Sequence, residues 1–296
     1  MTTGKEPPIE NRPKTTRTLD LRPVPGEMVK PSELIDVKGA TGLTLHDRRV
    51  YNVLLDNAFG PDLAIEGQRF EIDLTELRDS HDSNDRLVTS IEALMKTIVT
   101  VQRPDGSTDR VQLLGWNNLT DPKRRHGTLR YAIPPELAAL LRDSSVFARL
   151  QLQVMRHFTS KYALALYEAL SRRIRMHRMI EEIPLEDFRE LLGVQPGKLE
   201  GYGNLNKFAI TPALLEVNAL AEFSASVTPM KEGKRVSAVL LSWSMKTVEG
   251  RRAAWEELQR PRVGRKARLA GAVEEGGDDL RLPLLEGFDE GQGSDF

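Results

Sequence analysis

Cysteine is absent from the 296 residues. That excludes disulfides, thiolate zinc sites, iron–sulfur ligation and a cysteine nucleophile, and it is consistent with a reducing compartment. Long apolar runs are missing as well. No stretch approaches the roughly 20 residues that span a bilayer, and the polar opening MTTGKEPPIENRPKTTR lacks the apolar segment of a secretion signal. The expected location is cytoplasmic, without membrane contact. A phosphate loop is missing too: GYGN at 201–204 has neither the lysine nor the strand-to-helix context that such a loop needs. The five histidines, His46, His81, His126, His157 and His177, never fall in HxH or HExxH. RDSHDSND places several oxygen ligands in one loop, but its short polar residues suit the capping of the next helix better than a metal. No catalytic residue, metal or cofactor is expected, and an enzyme ranks behind every binding function.

Net charge is close to zero, with 42 Lys and Arg against 43 Asp and Glu, but it is unevenly spread. Between Glu274 and Asp295 there are eight acids and one base, Arg281; taking those seven net negative charges from −1 leaves the rest of the chain at +6. The expectation is a modestly basic body with an acidic appendage.

What is present has a repeating order. Residues 1–38, rich in proline, are expected to be a flexible arm with a short ordered stretch near Glu33 to Val37. Then LTLHDRRVYNVLLDNAF has a helical stripe with Thr44 as N-cap. FEID alternates like a strand, LTELRD reads as a short helix, and NDRLVTSIEALMK as a longer one. The β-branched run Ile98, Val99, Thr100, Val101 and DRVQLLGW, separated by PDGS, form a β-hairpin. Helix, strand, short helix, longer helix and hairpin is the order of a winged helix-turn-helix. The second half repeats it. FTSKYALALYEALSRRIRMHR is the long first helix, IPLEDFRELLG a strand and compact helix closed by Gly193, ITPALLEVNALAEF the next helix, and FSASVTPM with RVSAVLLSWSM a hairpin turned at KEGK. A helix near Arg251 to Leu258 follows, and the basic run Arg262, Arg265, Lys266, Arg268 is expected outside the core. The fold class is therefore α+β: tandem winged helices, mostly helical with small β-hairpin wings. The domains are expected at 39–150 and 151–248, with a basic then acidic tail over 249–296. Two similar modules side by side suit a ligand longer than either, such as duplex DNA.

In a winged helix the helix after the turn enters the major groove, and the wing reaches phosphates or the minor groove. In the first domain the candidates are Asn84, Arg86, Ser90 and Lys96 on that helix and Arg103 and Arg110 on the wing. Lys123, Arg124 and Arg125 of PKRRH form a compact positive loop. In the second they are Lys198, Asn204, Asn206 and Lys207 around the helix start, with Lys231, Lys234 and Arg235 on the wing. Tyr202 and Phe208 read as packing residues rather than base-stacking platforms. At helical spacing Arg172, Arg175 and Arg178 share one side and are candidates for phosphate contact or a domain junction, while Arg173 points elsewhere and suits a structural salt bridge.

FTSKYALALYEAL, IPLEDFRELLGV, Tyr202 with Phe208, and ITPALLEVNALAEFSASVTPMKEGKRVSAV are similar in order and spacing to the second-domain signature of the initiator Rep proteins of iteron-containing bacterial plasmids. The likeness covers about 155–245; over 43–135 it rests on element order. The resemblance implies a protein of two winged-helix domains that binds repeated origin sites on double-stranded DNA as a monomer and helps to melt neighbouring AT-rich DNA. It also implies recruitment of the host initiator ATPase and the replicative helicase. A homodimer held largely by the first domain would repress the protein's own gene. It places Lys161 and the arginines at 172–178 on the helix that opens the second domain, and Asn204, Asn206, Lys207 and Thr211 around the DNA-reading region. The family needs no nucleotide site. The proline-rich arm and the charged C-terminal segment extend past the family core, and the first-domain candidates match no sharp motif. Two rival readings share the winged helices: a two-domain transcriptional repressor, and a replication or partition adaptor acting mainly through protein contacts.

Overall fold

The computed structural model describes residues 16–78, 84–103, 106–120, 127–176 and 178–269, the side chain of Asn84 excepted. The expected flexible arm is structured from Thr18 onward, which corrects the reading over 18–38; residues 1–15 lie outside the described residues. Thr18 N–H donates to the Ser144 carbonyl at 2.7 Å. Strand β1 (Glu27–Pro31) then pairs antiparallel with a strand at Phe147–Gln151, so that Met28 and Val29 are fully buried. Pro31 sits at the end of the two-stranded ribbon and Pro23 and Pro25 in the chain before it, where such a ribbon tolerates proline; Pro7, Pro8 and Pro13 lie outside the described residues.

Thr44 opens α1 (Leu45–Ala58) with a capping box. Its hydroxyl accepts from Asp47 N–H at 3.2 Å, and the Asp47 carboxylate accepts from Thr44 N–H at 2.7 Å. After β2 (Phe70–Asp73) the expected short helix over LTELRD is instead a turn. Asp73 Oδ1 accepts from both the amide and the hydroxyl of Thr75 at 2.9 Å, and this local bonding competes with helix formation. The longer helix α2 (Asn84–Lys96) and the hairpin β3 (Ile98–Gln102) and β4 (Thr108–Gln112) follow as expected. β5 (Asn117–Leu119) and β6 (Thr128–Tyr131) form a sheet in the order β2-β6-β5, so β6 joins β2 and leaves the wing a separate two-stranded unit. α3 (Pro135–Arg142) and β7 (Phe147–Gln151), the partner of β1, complete the first half.

The second half runs α4 (Leu152–His157), α5 (Lys161–Arg173), β8 (Ile180–Pro184), α6 (Leu185–Leu192), α7 (Tyr202–Leu205), a π turn (Asn206–Ile210), α8 (Thr211–Leu220), β9 (Phe223–Glu232), β10 (Arg235–Met245) and α9 (Val248–Gln259). Its sheet has the order β8-β10-β9, with all pairs antiparallel. Gly193 ends α6 at φ 75°, the left-handed position where a Cβ is costly. Asn218 on α8 fixes the helix to β9, exchanging both amide bonds with the Ala225 backbone at 2.9 and 2.8 Å. The basic run after α9 is not wholly outside the core: Arg265 is buried, and its guanidinium bonds Glu257 Oε1 at 3.1 Å and the His157 carbonyl at 3.1 Å. Arg268 joins the same carboxylate at 2.8 Å.

Helix α5 is the junction. Its apolar stripe packs against α6 and α8 on one side and β7 and α1 on the other. Tyr167 stands between Phe158 and Phe223 at centroid distances of 5.3 and 5.7 Å, and its hydroxyl accepts from Gln151 N–H at 3.0 Å. Beneath it lies a closed polar triad. Lys30 Nζ donates to Glu168 Oε2 and to Asn52 Oδ1, both at 2.9 Å, and Asn52 Nδ2 donates to Glu168 Oε1 at 2.7 Å. β1, α1 and α5 are thus tied by three side chains, each 3–4% exposed. Among the described residues no helix is long and apolar enough to cross a membrane.

Candidate nucleic-acid interface

The second unit presents its candidate residues on one helical segment and one hairpin. From Tyr202 to Leu220 the chain stays helical, so Thr211 does not cap a new helix as its sequence suggests; it continues the old one. Pro212 explains the π turn before it. Proline has no amide hydrogen to give the carbonyl four residues back, and a wider turn relieves the ring's clash with that carbonyl. The consequence is visible in burial. Leu205, Ala209, Ile210, Ala213, Val217 and Leu220 are buried, so the inward row widens to two adjacent residues at the π turn. Asn204, Asn206, Lys207, Phe208 and Thr211 are exposed along this segment. The Thr211 hydroxyl donates to Asn206 Oδ1 at 3.3 Å, and Lys207 Nζ lies 5.4 Å from the Phe208 ring centre. Phe208 is 53% exposed, which corrects its reading as a packing residue; Tyr202 is half-buried and packs against the core.

The loop that leads into this segment is braced from below. Buried Arg189 on α6 donates to the carbonyls of Leu199 at 2.7 Å and Lys198 at 2.5 Å. Leu199 is held there at φ 52°, a left-handed conformation that a leucine adopts only under constraint. Lys198 therefore leaves a fixed backbone, with its side chain exposed. Nothing in the sequence separated Arg189 from an ordinary surface arginine. On the wing, Lys231, Lys234 and Arg235 are exposed around the β9–β10 turn, where Arg235 pairs in register with Glu232.

The arginines at the end of α5 divide. Arg173 is buried and structural as expected, bonding Glu181 at 2.5 Å and Asp36 at 3.1 Å. Of the two roles expected for Arg172, phosphate contact or domain junction, it takes the junction: it is half-buried and ion-paired with Asp36 at 2.6 Å. Arg175 and Arg178 are exposed. They precede β8, whose Ile180 pairs with Ser242, so they lie at the sheet end opposite the wing turn, about 20 Å along β10 from Arg235. Lys161 is also corrected. Its ammonium donates to the carbonyls of Thr41 at 2.9 Å and Leu43 at 3.4 Å, and burial, helped by nearby Arg48, lowers its pKa to about 8.

The first unit offers less. Ser90 is corrected from a reading position to a packing one: it is 2% exposed and its hydroxyl donates to Asp47 Oδ1 at 2.6 Å, joining α2 to α1. Lys96 is exposed but pairs with Glu92 at 2.9 Å, one turn back. Arg103 pairs with Asp109 across the hairpin. Arg86 and Arg110 are exposed. Lys123, Arg124 and Arg125, the Asn84 side chain, and most of RDSHDSND lie outside the described residues.

Comparison with known proteins agrees with this architecture. Residues 27–171 match the family model described as initiator replication protein, WH1, and residues 184–243 match that of the initiator Rep protein, WH2. The first match takes in most of α5, which the sequence reading had given to the second domain. Among solved structures, the crystal structure of Pi initiator protein in complex with iteron DNA aligns with a TM-score of 0.54 at 15% identity, covering 75% of this chain and 98% of that one. A structure of domains 2 and 3 of RctB aligns with a TM-score of 0.42 at 13% identity, covering 68% of this chain and 82% of that one. Comparison with curated proteins gives no match. Two winged-helix units in the order of the two family models, together spanning most of the chain, place it in the initiator Rep protein family of iteron-containing bacterial plasmids, DNA-binding initiators of replication.

Proposed function

We propose that the protein binds repeated sites at its replicon's origin as a monomer, with the second winged helix as the principal contact, opens the adjoining AT-rich duplex, and recruits the host initiator ATPase and replicative helicase. A homodimer, joined through the first unit, represses the protein's own gene. The observation that carries the reading is the exposed row on the reading helix, Asn204, Asn206, Lys207 and Thr211, preceded by Lys198 and accompanied by Lys231, Lys234 and Arg235 on the wing. Amides suit adenine edges, and lysines suit guanine or phosphate. Arg86, Lys96, Arg103 and Arg110 of the first unit are assigned secondary phosphate contacts, and Arg175 and Arg178 flanking ones.

Footprinting on the encoding replicon tests this. Direct repeats at regular spacing are expected, and a single inverted repeat in a promoter would favour a repressor instead. Alanine at Lys231, Lys234 and Arg235 together should weaken binding to every sequence and reduce the steepness of log K against log salt by about 2–3, since each lost phosphate contact contributes about 0.9. Alanine at Asn204 and Asn206 should reduce discrimination by about 1–3 kcal/mol per base contact while sparing nonspecific binding. A folded monomer without specific duplex binding at any salt concentration would overturn the proposal and favour an adaptor that works through protein contacts.

A further inference from the structure

Phe208 is the residue on the proposed reading helix that charge does not explain. It is the only aromatic side chain in that row, more than half exposed, with Lys207 on one side and Thr211 a turn away. The helix has an apolar interior within reach, since neighbouring Ala209 and Ile210 are fully buried. Phe208 faces outward instead. An apolar ring surrounded by lysines and amides suits a surface that is mostly polyanionic yet presents an isolated apolar group. The major groove of duplex DNA does so at one place per A·T pair, the C5 methyl of thymine.

Resting on the assignment of Tyr202–Leu220 as the reading helix, we propose that Phe208 is a specificity-determining residue that packs its ring against a thymine methyl group in the major groove. Asn204 or Asn206 takes the adenine edge of the same or the adjacent pair, so that this part of the site reads A·T. The geometry supports the combination. Asn204 and Phe208 are four residues apart, one helical turn, while Asn206 is held by the Thr211 hydroxyl, which leaves its amide nitrogen to donate. Lys207 next to the ring supplies charge without base selectivity.

The test removes one methyl group at a time. A duplex carrying one origin repeat, mapped by footprinting, is synthesised with each thymine in turn replaced by deoxyuridine, which keeps base pairing and takes away only the methyl. For the wild-type protein, affinity should fall about fourfold at one thymine, the equivalent of one buried methyl group. Phe208→Ala should bind the unmodified repeat several-fold more weakly and be indifferent to deoxyuridine at that same thymine. Phe208→Leu, which keeps an apolar side chain, should retain part of the effect. Because Phe208 is exposed, the variants should melt within a degree or two of the wild type, so a loss is not a loss of fold. Equal deoxyuridine profiles for the wild type and Phe208→Ala, or a Phe208→Ala variant that binds as tightly as the wild type, would overturn the proposal. Alanine at Asn204, Asn206 and Lys207 separates the two levels. If these weaken binding while Phe208→Ala does not, only the thymine contact falls; if none of the four matters, the reading-helix assignment itself falls.

Discussion

Replacing Glu168 by Gln perturbs the center of the junction without changing its shape. The carboxylate holds Lys30 at 2.9 Å and accepts from Asn52 at 2.7 Å, and all three side chains are buried. Glutamine keeps an acceptor for Asn52 but removes the charge that compensates the Lys30 ammonium. Breaking a buried ion pair from one side costs about 3–5 kcal/mol, because the remaining charge has left water without a partner. In a chain of this size that corresponds to a fall in Tm of about 5–8 °C. The pH dependence gives a second signature. Burial already lowers the Lys30 pKa, with Glu168 opposing the shift, so the variant should lower it further. The folded state then sheds a proton that the unfolded chain keeps until about pH 10.4, and stability of the variant should climb as pH rises through that window. Adding Lys30→Met should recover at least half of the loss at neutral pH, since no charge is then left unpaired. Urea unfolding at pH 7 and 9.5 measures all of this. A Glu168→Gln penalty below about 1 kcal/mol, or one insensitive to both pH and the second substitution, would refute the account of the triad.

Ser90→Ala should cost about 1.5–3 kcal/mol through the lost bond to the Asp47 carboxylate, without altering base preference in a binding assay. Gly39→Ala should cost about 1–3 kcal/mol in denaturant unfolding, because Gly39 sits at φ 97° and a Cβ there would lie 2.4 Å from the Ile98 carbonyl oxygen. Lys246, like Lys161, has its pKa lowered to about 8 by burial. Their folded forms lose a proton before the unfolded chain does, so stability should rise between about pH 8 and 10.4, and Lys246→Met should flatten that rise in urea midpoints.

Element order was legible in the sequence because hydrophobic period and turn chemistry are local. Thr44, Gly193 and the KEGK turn mark boundaries that the structure keeps. The short helix at LTELRD failed because Asp73 bonds locally to Thr75, an outcome that apolar spacing does not reveal. Site residues were less legible for a different reason. Exposure of a polar side chain depends on what other segments bring to it. Ser90 and Lys161 look like surface positions until α1 and the 41–43 loop supply an acid and two carbonyls. Phe208 looks like a core residue until the packed helix turns its neighbours Ala209 and Ile210 inward and leaves the ring exposed.

The loop from Asp36 to Leu43 accounts for how candidate cations are distributed. It belongs to the first unit by sequence, yet several of its polar groups are used by the second. Asp36 holds Arg172 and Arg173, Lys38 meets Asp187 at 2.8 Å, Gly39 N–H donates to Glu190 at 2.7 Å, and the Thr41 and Leu43 carbonyls take Lys161. The same loop bridges Thr100 of the first wing through both backbone groups of Lys38, at 2.8 and 3.3 Å. Its position against Ile98 is what requires glycine at residue 39. Cations near this loop are therefore committed to joining the units, and those of the first helix and wing, Lys96 and Arg103, pair with acids on their own elements. On the second unit Lys198, Lys207, Lys231 and Lys234 extend into solvent from a braced loop, a helix and a turn. A phosphate contact at those lysines leaves the junction intact, whereas one at Arg172 would have to break its ion pair with Asp36 and one at Lys161 its bonds to two carbonyls. That difference in cost supports the second winged helix as the principal DNA contact.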